Sequence, residues 1–288
     1  MTTPLRQRMR QDLQLAGLAE GTQNAYLRAV KQFAAHFRKP PDQISEQEFR
    51  EYLLYLKNQR HYSPSSLKIA ASGILFFFTH TVPRDWPTFN TLSIPRPQSL
   101  PDVLSIAEVR RLIDAVHTAH NKAFFWTVYS LGLRLQEALN LQVGDIDSDR
   151  MLVHVHRGKG AKDRFVPLPL RTLTVLRRYW KTHRHLVWLF PATGRDHDQA
   201  ATATEPMARS SVHGAIKRVV RRLGIKKKVT IHTLRHSYAT HLLEAGINLR
   251  LIQQYLGHGS LQATMIYLHL TSLGQEQARA TINSLMSE

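Results

Sequence analysis

The first ninety residues carry apolar positions at helical spacing. Between residues 26 and 37, Tyr26 and later apolar side chains recur at three- and four-residue steps, and Thr22 is predicted to cap this helix. Ser45 and Glu48 form a capping-box pattern that predicts a second helix. The pattern therefore indicates a helical N-terminal domain.

A third helix is predicted to begin at Ser63, because Pro64 follows it at the first helical position. The aromatic run at residues 76–78 lies on the pattern of this helix. We therefore predict that these three phenylalanines belong to a core and do not form a base-stacking platform.

A proline-rich stretch interrupts the helical pattern at residues 82–101, which contain five prolines. A new capping box, Ser105 with Glu108, follows it. These signals predict an N-terminal domain at 1–95, a linker at 96–104 and a second domain at 105–288.

The second domain opens with helical patterns, one of which runs over residues 123–131 and stops at Gly132. From 151 to 169 the period changes to two, with a Gly-Lys-Gly turn at 158–160 between two predicted strands. Helices resume at Leu170, and residues 192–208 read as a surface loop. The predicted fold class is mainly α with a small β-sheet (α+β).

The chain is strongly basic. Its 288 residues give a formal net charge of +18 and a pI of about 10.5. Nucleic acid is the leading expected partner, because basic side chains neutralise phosphates; an anionic membrane surface is second, weakened by the absence of a lipidation signal.

Composition also excludes several classes of site. The absence of cysteine excludes disulfides, thiolate metal sites and a cysteine nucleophile. The start of the chain lacks the apolar core of a signal peptide, and the most apolar stretch, at 74–78, is far shorter than a membrane span. We expect a cytoplasmic protein with no membrane partner.

The basic residues are densest between positions 206 and 243, a stretch without Asp or Glu. Their helical spacing puts them opposite an apolar stripe, as suits a phosphate backbone. The predicted DNA-binding residues are Lys217, Arg218, Arg221, Arg222, Lys226, Lys227 and Lys228, together with Arg28 and Lys31 of the first domain.

The candidate chemistry lies in the last sixty residues. His232, Arg235, His258 and Tyr267 combine a permanent positive charge, two imidazoles and a phenol, and Arg134 lies about a hundred residues earlier. Such a set suits attack on a phosphodiester without a metal: arginines bind the anionic oxygens, while a phenol, once activated, is a nucleophile. Each motif alone is weak; their occurrence in order is the signal.

These residues make the sequence similar to the tyrosine recombinases of the phage integrase superfamily, close to Xer-type enzymes and mobile-element integrases. The family signature of Arg, Lys, His-x-x-Arg, His or Trp, and Tyr falls on Arg134, Lys159, His232, Arg235, His258 and Tyr267. The resemblance covers nearly the whole chain. It implies a SAM-like core-binding domain followed by a catalytic domain.

The resemblance also implies an activity. A recombinase of this family cuts and rejoins DNA through a covalent 3′-phosphotyrosine on Tyr267, without metal, ATP or cofactor. Lys159 would be the general acid, His232 a proton acceptor, His258 a hydrogen-bond donor to phosphate, and Glu137 a supporting residue. The implied partner is double-stranded DNA, bound by a homotetramer on two synapsed sites, with accessory proteins as an open question.

Three alternatives stay open at this stage. A non-catalytic DNA-binding protein and a type IB topoisomerase share much of the pattern. A zinc site on His232 and His236 is disfavoured, because Thr233 stands where the zinc-protease motif needs Glu; His236 and His241 are expected to be structural. Small departures from the family pattern favour a mobile-element integrase over a dimer resolvase.

The C-terminal segment 272–288 has apolar residues at helical spacing. A helix of this kind is predicted to dock on a neighbouring protomer or, alternatively, on its own domain. The apolar residues concerned are Leu273, Ala278, Ile282 and Leu285.

Overall fold

The computed structural model describes residues 3–95, 100–156, 163–194, 199–270 and 282–284. The chain divides into two compact units, residues 1–99 and 100–288. The predicted linker at 96–104 stays a prediction, because four of its residues lie outside the described ranges.

The first unit is entirely helical over its described residues. Its elements are α1 (Pro4–Leu15), α2 (Glu20–Phe37), a 3₁₀ turn (Pro41–Gln43), α3 (Glu46–Asn58), α4 (Pro64–Phe76), a π-helical turn (Phe77–Thr81) and α5 (Thr88–Thr91). The predicted caps at Ser45 and Ser63 are confirmed. The predicted cap at Thr22 is wrong: α2 begins at Glu20 after Ala19, without a side-chain cap.

Aromatic side chains form the core of this unit. Phe33, Phe49 and Phe78 are fully buried, with the ring centroids of Phe33 and Phe49 6.1 Å apart. The prediction that the run at 76–78 belongs to the core is confirmed. Gly73 lets α4 approach α2 closely, since a β-carbon there would lie 2.9 Å from the Tyr26 Cα.

The second unit is mainly helical with one small sheet. Its helices are α6 (Ile106–Asp114), α7 (Ala119–Leu131), α8 (Leu135–Leu139), α9 (Leu170–Trp180), α10 (Arg209–Arg222), α11 (Ile231–Glu244), α12 (Leu249–Leu256) and α13 (Gln262–Met265), with 3₁₀ turns at Val143–Asp145, Ala200–Thr202 and Ile266–Leu270. The capping box at Ser105 and Glu108 is present. The helix predicted to stop at Gly132 does so: α7 ends there in the left-handed conformation, with φ of 61°.

The sheet has three antiparallel strands in the order β1 (Ile146–Asp147), β2 (Leu152–Val155) and β3 (Arg164–Pro167). Val153 pairs with Val166, and both are buried on the inward face. The two strands predicted from the period of two are confirmed, whereas β1 was not predicted because it has only two residues. The Gly-Lys-Gly segment that joins β2 to β3 lies outside the described residues.

The remaining sequence predictions concern the ends and loops of this unit. Residues 192–208 are irregular apart from the short turn at 200–202 and a bridge between Pro191 and Pro206, as far as they are described. Of the C-terminal apolar positions, Ile282 is described and is 55% exposed, and the other three lie outside the described residues. Within the described part of the chain, no helix is long and apolar enough to cross a membrane.

Candidate active site

Arg134 is positioned by the turn between α7 and α8. It is the residue before the first turn of α8, where its backbone N–H donates to Glu137 Oε2 at 2.8 Å. Its Nη1 donates to Glu137 Oε1 at 2.7 Å, and its Nη2 donates to the Gly257 carbonyl at 2.7 Å. These contacts fix the guanidinium and leave further N–H donors for a ligand, since arginine carries five.

Arg235 lies on α11 and is 3% exposed. Its Nη1 and Nη2 each donate at 2.7 Å, to the carbonyls of Gly132 and Leu256. Burial and then the neighbouring charge of Arg134 lower the pKa of Arg235 to about 9, so that the side chain is still charged at neutral pH. The Arg235 side chain therefore connects the end of α7 with the end of α12.

Glu137 is the anionic centre of the site. It accepts from Arg164 Nη1 at 2.9 Å and Nη2 at 2.8 Å as well as from Arg134. Burial alone would raise the pKa of Glu137, but the hydrogen bonds and charge of Arg164, with those of Arg134, lower it to about 2. Glu137 thus stays ionised and orients two guanidinium groups, the supporting position expected from the sequence.

Arg164 was missed by the sequence reasoning. It lies on β3, 9% exposed, and its Nε also donates to the Tyr255 carbonyl at 2.7 Å. A signal was available: Arg164 shares the inward face of β3 with Val166, and a charged residue at an inward strand position needs a buried partner.

Tyr267 lies in the 3₁₀ turn Ile266–Leu270 and is 1% exposed. Its hydroxyl is 3.0 Å from His236 Nδ1. Burial raises the pKa of Tyr267, while the charges of Arg235 and Arg134 act in the opposite direction. The two arginines therefore favour the phenolate, as expected, but burial outweighs them in this state.

His236 departs from its expected structural role, because it contacts the phenol directly. Burial, followed by the charges of His232 and Arg235, lowers its pKa to about 4. The ring is consequently neutral at pH 7. The available signal was its position one helical turn after His232 on α11. His241, which was also expected to be structural, makes a hydrogen-bond contact with α7, where its Nδ1 lies 2.9 Å from the Tyr129 hydroxyl.

His258 lies beside the phenol, and His232 lies beside His236. The rings of His258 and Tyr267 are nearly parallel, with centroids 6.3 Å apart, and His258 Nδ1 is 2.8 Å from Thr264 Oγ1. Burial and the nearby arginines lower the pKa of His258 to about 3. His232, whose ring is 6.4 Å from that of His236, also has a lowered pKa, from desolvation and then the charge of Arg235.

Five of the six signature residues are thus brought together from three separate stretches of chain. The sixth, Lys159, lies outside the described residues. The contacts that join the stretches run from Arg134 to Gly257 and from Arg235 to Gly132 and Leu256, while ring contacts connect Tyr267 with His236 and His258.

The predicted DNA-binding residues lie on the surface. α10 buries Val212, Ile216 and Val219, and all nine predicted basic residues are exposed. Lys227 is engaged within its own unit, since its Nζ is 2.7 Å from Glu108 Oε2 and 3.0 Å from the Val103 carbonyl. Arg28 and Lys31 lie on α2 of the first unit.

Potential metal ligands also occur near the sheet. In the described part of the chain, one group of three such side chains has its donor atoms within 4.8 Å of one another: Asp145, His154 and His156. None of them belongs to the signature set.

Comparison with known proteins explains the arrangement. Residues 102–273 match the phage integrase family, and residues 5–88 match the N-terminal SAM-like domain of phage integrases. The chain is 42% identical over 271 residues to the protein y4qK of Sinorhizobium fredii, covering 94% of this chain and 85% of that protein. The chain belongs to the phage integrase family. It is a site-specific tyrosine recombinase with a SAM-like domain before the catalytic domain.

Other relatives agree with this assignment. A tyrosine recombinase of Thermosipho africanus is 33% identical to the recombinase over 263 residues, covering 88% of this chain and 89% of that protein. The XerA recombinase crystal structure matches 98% of both chains at 28% identity and a TM-score of 0.54. XerH bound to palindromic difH shares the fold, with a TM-score of 0.68 over 90% of this chain and 79% of that chain at 21% identity. The predicted fold class and family are confirmed.

Proposed function

We propose that this recombinase cuts and rejoins DNA through a covalent bond between Tyr267 and a 3′ phosphate. The observation that carries the proposal is the proximity of Arg134, Arg235, His258 and Tyr267: both arginines contact Glu137, the rings of His258 and Tyr267 are 6.3 Å apart, and the charges of both arginines act on the pKa of His258 and of Tyr267. Permanent charge, neutral imidazole and phenol are thus close together, which is the chemistry that a phosphodiester requires.

The two arginines stabilise the transition state. Attack on phosphorus places additional negative charge on the non-bridging oxygens, and the planar guanidinium fork binds such oxygens in a fixed geometry. Glu137 supports this role, because it fixes Arg134 before DNA arrives. Preoriented donors of this kind contribute about 2.7–4 kcal/mol each to transition-state stabilisation.

In the proposed step, Tyr267 Oη forms a bond to phosphorus while the bond from phosphorus to the 5′ oxygen breaks. The phenol proton passes to a neutral imidazole, and His232 and His236 both have lowered pKa values that keep them neutral. The leaving 5′ oxygen takes a proton from Lys159. Rejoining reverses the step, and because a phosphotyrosine ester replaces the DNA phosphoester that breaks, the number of ester bonds is unchanged and neither ATP nor a metal is needed.

DNA binding must also expose the nucleophile, since Tyr267 is 1% exposed and its hydroxyl contacts His236. We propose that the exposed basic residues of α10 and the following loop bind the duplex backbone, with Arg28 and Lys31 binding from the first domain. The relative XerH was solved bound to difH, and the Tn1549 transposon integrase with circular intermediate DNA. The family resemblance leads us to propose further that four protomers act on two DNA sites.

The test is covalent capture on DNA. Recombinase is incubated with nicked duplexes from the flanks of its gene, whose cleavage releases a short fragment and prevents rejoining, and products are separated on a denaturing gel. We expect an adduct with wild type and with Tyr255→Phe, a matched tyrosine outside the site, but none with Tyr267→Phe. Affinity from fluorescence anisotropy should be equal for all three, and an adduct in Tyr267→Phe contradicts the proposal.

Lys159 is tested by changing the leaving group. A 5′-bridging sulfur leaves as a thiolate and needs much less protonation than an alkoxide, because a thiol is far more acidic than an alcohol. Lys159→Ala should therefore be slow on normal DNA and restored on the sulfur substrate. Lys162→Ala, a lysine of the same segment, serves as the control. Equal defects on both substrates would remove Lys159 as the general acid.

A further inference from the structure

The hairpin of β2 and β3 carries two histidines on the same face. His154 lies on β2 and His156 directly follows it, two residues later, and their ring centroids are 3.9 Å apart. Asp163, the residue before β3, is 3.2 Å from His154 Nε2 and 3.6 Å from His156 Nδ1 through the same carboxylate oxygen. One carboxylate thus faces both imidazoles.

A second carboxylate, that of Asp145, reaches the group from the 3₁₀ turn before β1. Asp145 is 5% exposed, and its Oδ2 accepts from the Gln142 backbone N–H at 2.8 Å. Its Oδ1 is thereby directed to His156 Nε2, at 2.6 Å. A buried carboxylate held by a backbone donor is the kind of oriented ligand that metal sites use.

We propose that Asp145, His154, His156 and Asp163 bind one zinc-class divalent transition metal. Two imidazoles and two carboxylates form a donor set that suits Zn²⁺ or Co²⁺, whereas Mg²⁺ and Ca²⁺ prefer oxygen donors alone. None of the four ligands is a signature residue.

Three of the four ligands need little rearrangement. Tetrahedral zinc with bonds of about 2.0–2.1 Å holds its donors about 3.3 Å apart, and donor atoms of Asp145, His154 and His156 already lie within 4.8 Å of one another. Asp163 must move further, because its carboxylate faces His156 Nδ1 while Asp145 faces His156 Nε2, and an imidazole gives only one ring nitrogen to a given ion. The side chains of His156 and Asp163 are 49% and 46% exposed, so this rotation takes place at the surface.

The location gives the site a consequence for the reaction, which rests on the proposed function. His156 and Asp163 are the residues on either side of the segment 157–162, and that segment contains Lys159. His156 and Arg134 also line the same cavity, of about 550 Å³. A metal bound to both flanking residues would fix the distance between His156 and Asp163, so we expect saturating Zn²⁺ to slow DNA cleavage.

Binding is measured first, without DNA. The full chain, stripped with a chelator, is titrated with Co²⁺ and the visible absorption of the ion is followed; Zn²⁺ is then added to displace it. We expect one saturable equivalent for wild type and for His61→Asn, and loss of that equivalent in a His154→Gln, His156→Gln double variant. His61 is an exposed histidine of the first domain at a φ of 48°, which Asn tolerates.

Hydrogen bonding alone is the competing use of these contacts, and it predicts no saturable equivalent. The metal site is overturned if wild type binds no saturable equivalent of Co²⁺ or if the double variant still binds one. Circular dichroism establishes that the double variant is folded, and Asp163→Asn provides a second, surface-located variant that should weaken Co²⁺ binding.

The regulatory consequence has its own readout. Single-turnover cleavage is compared with and without Zn²⁺ for wild type and the double variant, which should have equal rates without metal. If Zn²⁺ slows cleavage by wild type alone, the result supports regulation through the metal site. If Zn²⁺ slows both proteins equally, regulation through this site is overturned, while the Co²⁺ binding result stands. If no protein forms an adduct at all, the proposed function fails instead, and the Co²⁺ titration still decides the metal site.

Discussion

The recombinase carries its positive charge in two contrasting ways. Around Glu137, three arginines are largely buried and each has defined hydrogen-bond partners. Along residues 217–228, seven basic side chains are exposed, and Lys227 pairs with Glu108. The proposed function accounts for the difference: chemistry at one phosphate requires charges in fixed positions, while binding a long polyanion requires only that charges lie near it.

The largest effect on stability is expected from Glu137→Gln. The substitution keeps the shape but removes the negative charge that three buried arginines share. Breaking a buried charge cluster in this way costs about 3–5 kcal/mol. The free energy of unfolding is measured by urea denaturation.

The matched control is Glu108→Gln in the same unit. Glutamine preserves the capping box with Ser105, so the change removes only the partly exposed pair with Lys227. We expect a loss below about 1 kcal/mol, as for other surface pairs. Equal losses in the two variants would mean that the Glu137 cluster is not a special source of stability.

The next effect concerns catalysis. Arg134→Ala should lower the single-turnover cleavage rate by about 10²–10³ at saturating protein, with little change in DNA affinity, because its charge acts mainly in the transition state. Arg134→Lys should recover only part of the rate, since lysine lacks the planar fork. A loss of affinity as large as the loss of rate would assign Arg134 to binding.

A smaller effect is expected on the exposed surface. Lys217→Gln with Arg218→Gln should weaken DNA binding and reduce the slope of log K against log salt by about 0.9 for each phosphate contact removed. The cleavage rate at saturating protein should be unchanged. Lys227→Gln, whose charge already pairs with Glu108, should reduce the slope less. Anisotropy titrations across a salt series measure these slopes, and an unchanged slope for the double variant contradicts the assignment.

The last effect is a loss of stability at low pH that the buried histidines of the site should cause. The pKa values of His236 and His258 in the folded state are about 4 and about 3, below the usual value near 6.5. As pH falls from about 6.5 to 4, the unfolded chain binds these protons and the folded chain does not, so stability falls, by at most about 1.4 kcal/mol per histidine and pH unit.

Urea midpoints at pH 7.5 and 5.5 measure this loss. His236→Asn should reduce it, and His61→Asn, on an exposed site of the first domain, should leave it unchanged. An identical loss in wild type and His236→Asn would show that this histidine does not titrate as its burial implies.

Much of the local structure could be predicted from the sequence. The caps at Ser45, Ser63 and Ser105 and the helix stop at Gly132 depend on residues a few positions apart, so a linear pattern contains them. The predicted cap at Thr22 was wrong, because a residue with capping chemistry can also lie inside a helix that begins earlier.

The site was predictable in part. The order of its motifs identified the signature residues, but not the contacts that Arg164 and His236 make. Arg164 bonds Glu137 from 27 positions away, and His236 meets Tyr267 from 31 positions away. The strand position of Arg164 and the helix position of His236 indicated which way each side chain faces, but such distances along the chain carry no periodic signal that would name the partner.

The sequence by itself determined the fold class and the family, and it is the basis for proposing the reactive side chains, because caps, periodicity and motif order are local or linear properties. Only the tertiary structure decided the electrostatic state of the site. Burial raises the pKa of Tyr267 and keeps the histidines neutral, and the Glu137 cluster orients the arginines. These protonation states and side-chain orientations depend on which groups, distant along the chain, are buried together away from water, and that is a property of packing.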